Sequence, residues 1–276
     1  MKRLALLASL ALASTAPVLL AKSVDNRSIV TSFVDRFYGK RDVAVAFAAF
    51  VAPDYIQHNP GLPDGPKAAV EALGAMFARP DSRFEVTHLL IDGDLALVHL
   101  FGQGKPGTPG AAVADLYRLK DGKVAEHWDV LQPIEPGSDP LAMASAGPAG
   151  KDMTAQNRVA FSGFIKMLFD RGDVDGAYRR FVAPDLIQHN SRMGQGRDQA
   201  VAVIRGLRSA PGARFDVQRI LVDGNLAAVH YRGQLSANDR GAAIVEIFRF
   251  HDGMIVEHWD MFQPMPQNSR NAHPMF

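Results

Sequence analysis

Apolar residues along this chain recur first at helical spacing and then in alternating or near-continuous runs, and that order occurs twice. Between Asp25 and Tyr38, the residues Ile29, Phe33, Val34 and Phe37 share one helical face, with Ser23 or Asp25 placed to cap it. Val43–Phe50 reads as a second, short helix ended by Ala52-Pro53. Tyr55–Asn59 reads as a short extended piece leading into the Pro-Gly loop 60–66, and Lys67–Phe77 as a third helix. Four strand-like runs follow, Arg83–Ile91, Leu95–Gly102, Ala111–Leu119 and Lys123–Gln132. Turn signals at Asp92-Gly93, Pro106–Gly110 and Asp121-Gly122 join them. Three helices followed by an antiparallel meander predict an α+β layer fold, with helices covering one face of a curved sheet and enclosing a pocket.

The repetition fixes the domain count. Val51-Ala-Pro-Asp-Tyr-Ile-Gln-His-Asn59 returns as Val182-Ala-Pro-Asp-Leu-Ile-Gln-His-Asn190. Asp92-Gly-Asp-Leu-Ala-Leu-Val-His99 returns as Asp223-Gly-Asn-Leu-Ala-Ala-Val-His230, and Glu126-His-Trp-Asp129 as Glu257-His-Trp-Asp260. Every landmark recurs 131 positions later, with no insertion or deletion between them. A period this long means two complete domains, at 24–136 and 155–267. The linker, 137–154, contains most of a Pro-, Gly-, Ala- and Ser-rich stretch that runs from Pro136 to Gly150.

Composition narrows the class. The chain of 276 residues is 47% hydrophobic and 21% charged, enough for two modest globular domains. Its net charge of +1 gives no basic footprint, so no nucleic-acid partner is expected. With no cysteine there is no disulfide, no thiolate nucleophile and no Cys-based metal site. Residues 1–21 read as a secretory signal peptide: Lys2 and Arg3 precede an apolar stretch from Leu4 to Ala16, with cleavage after Ala21. A retained N-terminal anchor is the other reading of that segment, although Pro17 breaks it and it is short for a spanning helix. A periplasmic or secreted location, with no membrane contact after cleavage, is the expectation.

The repeated Glu-His-Trp-Asp string draws attention to the last hairpin. Residues two apart on a strand share a face, so His127 and Asp129 point together, as do His258 and Asp260. A three-residue loop at Lys120-Asp121-Gly122 would pair Leu119 with Lys123, setting Asp115 opposite His127 and Val113 opposite Asp129. Asp115, Tyr117, His127 and Asp129 then cluster on one face, with Glu246, Phe248, His258 and Asp260 as the second set. Leu116, Glu126 and Trp128 fall on the other face. A two-residue loop would separate Asp115 from Asp129. Carboxylates beside an imidazole and apolar walls suit acid–base chemistry, and they equally suit a buried structural ion pair. Asn59 and His58, with Asn190 and His189, lead into a loop from which they could reach a pocket mouth and donate to an enolate oxygen; a turn-forming Asn is the alternative. His99 and His230 lie mid-strand in apolar runs and read as packed, hydrogen-bonded core histidines. A metal site from His58, His127 and Asp129 has no supporting spacing, so neither a metal nor a cofactor is expected. Pro60-Gly61-Leu62-Pro63 becomes Ser191-Arg192-Met193-Gly194 and Tyr55 becomes Leu186, so the two pocket mouths should differ.

The run Tyr55-Ile-Gln-His-Asn59 followed by Gly122-Lys-Val-Ala-Glu-His-Trp-Asp129 resembles the SnoaL-like polyketide cyclase group of the nuclear-transport-factor-2-like (NTF2-like) superfamily, in both copies. The resemblance implies two tandem cone domains, each with three helices packed on a curved antiparallel sheet. It also implies pairing through the outer sheet faces, hence an intramolecular pseudodimer, with further homo-oligomers open. The Asp that ends the motif is the general base of an intramolecular aldol closure in that group, which points to Asp129 and Asp260. Asn59 and Asn190 fall at a family active-site Asn. A catalytic His of the family falls at Asp115 and Glu246, where this chain has acids instead. The expected function is a cofactor-independent acid–base enzyme of aldol, isomerase or cyclase type, acting on a small apolar carbonyl compound. A pocket that only binds a small apolar ligand, or a scaffold, stands beside it.

Overall fold

In a computed structural model of the chain, residues 25–135, 142–148, 150–190 and 192–276 are described. The expected signal segment, 1–21, and part of the linker lie outside those residues. Among the described residues no helix is long and apolar enough to cross a membrane.

Each copy runs helix, helix, strand, helix and then four strands. In the first, α1 is Asn26–Val34, α2 Val43–Phe50 and α3 Pro66–Phe77. The strands are β1 Val51–Gln57, β2 Arg83–Asp92, β3 Leu95–Gln103, β4 Ala111–Lys120 and β5 Lys123–Pro133. The second copy repeats this as α4 Thr154–Ile165, α5 Val174–Phe181, β6 Val182–Gln188, α6 Arg197–Arg208 and β7–β10 from Arg214 to Pro264. Asp42 and Asp173 cap α2 and α5 by accepting from the amides of Val45 and Gly176.

Three features depart from the sequence expectation. The first helix does not run regularly to Tyr38, because Asp35–Gly39 forms a π-turn closed by Lys40 N–H to Asp35 C=O at 2.8 Å. The wider turn sends both Phe37 and Tyr38 into the core. Next, the extended piece expected at Tyr55–Asn59 is a full strand starting at Val51, and it pairs parallel with β5. The sheet order β1-β5-β4-β3-β2 is therefore mixed rather than wholly antiparallel. Pro53 is tolerated because β1 is an edge strand. Finally, the β4–β5 hairpin closes with a two-residue loop, Asp121 (φ 50) and Gly122 (φ 75), both left-handed as a type I′ turn requires. Lys120 pairs with Lys123 and Leu119 with Val124, but Arg118 pairs with Glu126. Ala125 is thus a bulge residue that shifts the register by one. Loop and bulge cancel, so Asp115 and Asp129 share a face after all, directly opposite each other, with Tyr117 opposite His127.

The inner face of each sheet and its helices enclose one apolar core. A third core lies between the sheets, where Leu97, Leu116, Trp128 and Val130 meet Ala228, Ile247, Trp259 and Met261. Met143 and Ala144 of the expected linker are buried in it, so this part of the segment is an interface element. Polar contacts across the interface come in reciprocal pairs 131 positions apart. Leu131 N–H donates to Gln263 Oε1 (2.8 Å) and Phe262 N–H to Gln132 Oε1 (2.9 Å). Ile91 N–H donates to Asp223 Oδ2 (2.8 Å) and Val222 N–H to Asp92 Oδ2 (2.9 Å), while Arg27 and Arg158 pair with the same two acids. Such reciprocity is the signature of an isologous two-fold, here within one chain. It also explains the repeated Gln-Pro pairs, Gln132-Pro133 and Gln263-Pro264.

Replacing Asp223 by Ala leaves the Ile91 amide without its acceptor and Arg27 without its carboxylate. The expected loss is about 1–3 kcal/mol in urea unfolding, since an abandoned buried donor bears its full desolvation penalty. Asp92→Ala should cost about the same. A loss below about 0.5 kcal/mol for either would show that the pairing of the sheets does not depend on these contacts.

Candidate active site

Alternation along β4 and β5 selects the pocket floor. Val113, Asp115 and Tyr117 face inward from β4, and His127, Asp129 and Leu131 from β5; all six line one cavity of about 390 Å³. The edge strand β1 contributes Val51 and Tyr55 to the lining, Asn59 follows just beyond it, and Gln57 sits behind as a hydrogen-bond partner of His127. Phe33 and Phe47 from the helices, with Phe84 and Leu100 from the sheet, make the walls largely apolar. Size and lining are those of a small-molecule pocket.

The hydrogen bonds on the floor assign its protons. The Asn59 amide N–H donates to Gln57 Oε1 at 2.8 Å, which identifies that atom as the oxygen. His127 Nδ1, at 2.9 Å from the same oxygen, must therefore carry a proton. Its Nε2 faces Asp115 Oδ1 at 3.0 Å, and a proton there as well completes a buried imidazolium–carboxylate pair. Burial pulls the His127 pKa down, but the hydrogen bond and charge of Asp115, with the charge of Asp129, outweigh it and leave it raised. Tyr38 donates to Asp115 Oδ2 at 2.6 Å, so Tyr117 donates to Tyr38. Burial, then the charge of Asp115, hold both phenols well above their usual range. Each Asp115 oxygen thus has its own donor.

Asp129 is the contrast. Its Oδ2 accepts from Asn59 Nδ2 at 2.5 Å, while its Oδ1 is buried and has no partner among the described residues. Burial raises this carboxyl to about 6; His127 pulls it back, the opposed Asp115 pushes it further up, and Asn59 lowers it slightly. Beside it, Tyr55 accepts from Gln57 Nε2 at 3.1 Å and keeps its own hydroxyl proton uncommitted among the described residues. One carboxylate has a donor on each oxygen, and the other, which lines the cavity, has a single donor among the described residues.

The expected cluster of Asp115, Tyr117, His127 and Asp129 is therefore assembled, with Asn59 added. His58 and His189 are not part of it, against expectation. Alternation turns them to the outer face, where His58 stacks on Trp128 and His189 on Trp259, ring centroids 4.7 Å apart in each pair. Their Nε2 atoms bond Glu126 and Glu257 at 2.9 and 2.7 Å. His99 and His230 are also buried between the sheets, and burial pushes both pKa values down to about 3. Asp115, His127 and Asp129 place ligand atoms within 4.8 Å of one another, a spacing that a metal ion could use. The contact between His127 and Asp115 is already a hydrogen bond, which a metal would have to replace. Gln57, which sets the His127 tautomer, stands in the repeated Gln-His-Asn run expected to reach the pocket, but its role was not legible, and Tyr38 was not legible as a site residue at all. Tyr38 depends on the π-turn, which has no helical-period signature.

The second copy keeps the frame and changes the network. Glu246 opposes Asp260 and Phe248 opposes His258. Asn190 donates to Asp260 Oδ2 at 2.7 Å, and Asp260 Oδ1 again lacks a partner among the described residues. Burial raises Asp260, with Glu246 adding to it. His258 Nδ1 meets Gln188 Oε1 at 2.9 Å, but its Nε2 lies 3.7 Å from Glu246. Phe169 and Phe248 replace Tyr38 and Tyr117, Leu186 replaces Tyr55, and Tyr231 supplies the donor to Glu246. The second cavity is about 420 Å³.

Solved structures similar to this chain each match about one copy. An NTF2-like protein from Mesorhizobium loti is 23% identical over 42% of this chain and 97% of its own, with a TM-score of 0.36. An NTF2-like protein from Burkholderia xenovorans LB400 is 26% identical over 41% and 87%, with a TM-score of 0.35. A steroid delta-isomerase from Pseudomonas aeruginosa is 20% identical over 42% and 85%, also at 0.35. No curated protein matches the chain. The SnoaL-like domain family matches residues 30–127 and again 161–258, the span from α1 to the floor histidine in each copy. With that match, the repeated helix–sheet order and the His-Trp-Asp strand that gives each floor its His and Asp, the chain belongs to the SnoaL-like domain family as a tandem pair.

Proposed function

We propose that the first domain is a cofactor-independent acid–base catalyst that moves a proton next to the carbonyl of a small apolar compound, as in isomerisation or intramolecular aldol closure. The observation that supports it is the unpartnered Oδ1 of Asp129, buried in an apolar cavity on a carboxyl raised to about 6. Such a group is ionised at neutral pH yet basic enough to accept a carbon-bound proton. The free hydroxyl proton of Tyr55 is the donor for the enolate oxygen that forms. His127, held cationic by Asp115, stabilises the negative charge on the floor without leaving its pair. In this reading Asp115 replaces the family's histidine by fixing the charge of another. The second domain lacks the Tyr55 donor and is a binding pocket. With residues 1–21 acting as an export signal, the protein works in the periplasm or outside the cell.

In deuterated water, the α-protons of a neutral C10 ketone such as trans-1-decalone should exchange faster with the protein present, with a rate rising through pH about 6 and then levelling. Asp129→Asn should slow that exchange by about 10²–10⁴-fold, and Tyr55→Phe by about 10²-fold. Asp260→Asn should leave it unchanged. Exchange that survives Asp129→Asn rules out the assignment of the base.

An open, raised carboxyl also has a cost in stability. The folded state holds the Asp129 proton up to pH about 6, whereas the unfolded chain releases it near pH 4. Between those values the folded state binds the extra proton, so stability falls as pH rises through the window and is flat above it. Asp129→Asn should abolish this fall and be more stable than the parent at pH 7 by on the order of 2 kcal/mol. Urea titrations at pH 4.5 and 7 measure it, and equal pH slopes for the two proteins would contradict it.

A further inference from the structure

The two pockets differ in charge at one position of the third helix in each domain. Phe77, near the end of α3, is buried and stacks on Phe84 with ring centroids 3.9 Å apart. Its counterpart 131 positions later is Arg208, at the end of α6, and the counterpart of Phe84 is Phe215. The Arg208 guanidinium occupies the same slot, 4.8 Å from the Phe215 ring centre and 5.7 Å from that of Phe169, and it lines the second cavity. Its hydrogen bond is a long one, Nη2 to the Phe169 carbonyl at 3.4 Å. Among the described residues it has no ion-pair partner.

The neighbouring charges are engaged. Arg205 pairs with Asp175, and Arg192 with Glu135 at 2.6 Å. Asp239 accepts from the amides of Leu235 and Gly241, Glu246 from Tyr231 and Asp260 from Asn190. Burial pulls the Arg208 pKa below its ordinary value, with the charges of Tyr231 and Glu246 acting against that. The rim beside it is apolar, since Leu207, Leu235 and Phe262 all line the cavity and all remain exposed. The first cavity has no arginine or lysine in its lining.

We propose that the second pocket binds an apolar compound carrying one carboxylate, with the hydrocarbon in the cavity and the carboxylate paired to Arg208. A planar guanidinium between two aromatic faces presents a fork of N–H donors that matches a carboxylate. Arg208 is the one cation of the lining without an ion-pair partner among the described residues, and above a floor that already holds Glu246 and Asp260 it favours a monoanion over a dianion such as phosphate. The first domain then acts on a neutral compound while the second holds an acidic one of similar size.

Calorimetric titration of the full chain with decanoate, its methyl ester and 1-decanol tests this. Decanoate should bind at one site, and Arg208→Gln should weaken it at least tenfold while leaving 1-decanol within twofold. Arg208→Phe, which installs the first domain's residue and so suits the slot, should weaken decanoate equally, with the thermal unfolding midpoint confirming that both variants are folded. Arg208→Gln should not change ketone exchange in the first pocket, so this proposal and the catalytic one fail separately. Decanoate affinity unchanged in both variants, an equal loss for 1-decanol, or tighter binding of decyl phosphate than of decanoate would each overturn it.

Discussion

Two carboxylates, Asp115 and Asp129, sit directly opposite each other on neighbouring strands, buried under the same helices. Like charges in that position repel strongly in a medium that screens poorly, so the rest of the floor reads as the means of accommodating them. Asp115 receives His127 on one oxygen and Tyr38 on the other. Gln57 fixes the imidazole so that its second proton points at Asp115. Asp129 receives a single amide hydrogen bond, and its other oxygen is buried without a donor among the described residues. The asymmetry between two residues of the same type follows from how many donors each is given, and in the proposed function it divides a structural acid from the base.

Holding that floor in register is the task of the outer layers. The sheets of the two domains back onto each other through Trp128, Trp259 and an apolar core, tied by reciprocal side-chain acceptors to backbone amides. The residues between inward-facing positions on β5 therefore belong to the interface, and one strand serves both roles by alternation. His58 shows the division most plainly. Its backbone follows Gln57 and precedes Asn59, both of which serve the pocket, while its ring stacks on Trp128 between the sheets. Duplication within one chain lets the two pockets diverge under a shared interface. Tyr55 to Leu186 and Phe77 to Arg208 are such divergences, and neither touches the contacts that join the sheets.

Much of this was legible in the sequence, for physical reasons. The constant spacing of 131 gave two domains, the helical and alternating periods gave the element order, and two-residue spacing put His127 with Asp129. What was not legible lies where backbone geometry departs from a regular period. The π-turn at Asp35–Gly39 brings Tyr38 to the floor without any change of composition. The Asp121-Gly122 turn has the residues of a two-residue hairpin, which taken alone would set Asp115 and Asp129 on opposite faces. Ala125 has no side-chain feature to announce a bulge, yet it restores the shared face. The strand β1 was partly hidden by Pro53, which only an edge position permits. His58 was misplaced because the chain leaves the strand at that point and its alternation had to be continued by one residue.

Asp129 differs from an ordinary carboxylate because it is buried, opposed by Asp115 and left with one oxygen without a donor among the described residues. The ¹³C shift of the Asp129 side-chain carboxyl, assigned by comparison with Asp129→Asn and followed from pH 3 to 9, measures that directly. A midpoint at about 6 is predicted. A midpoint near the ordinary aspartate value of about 4 would contradict the account.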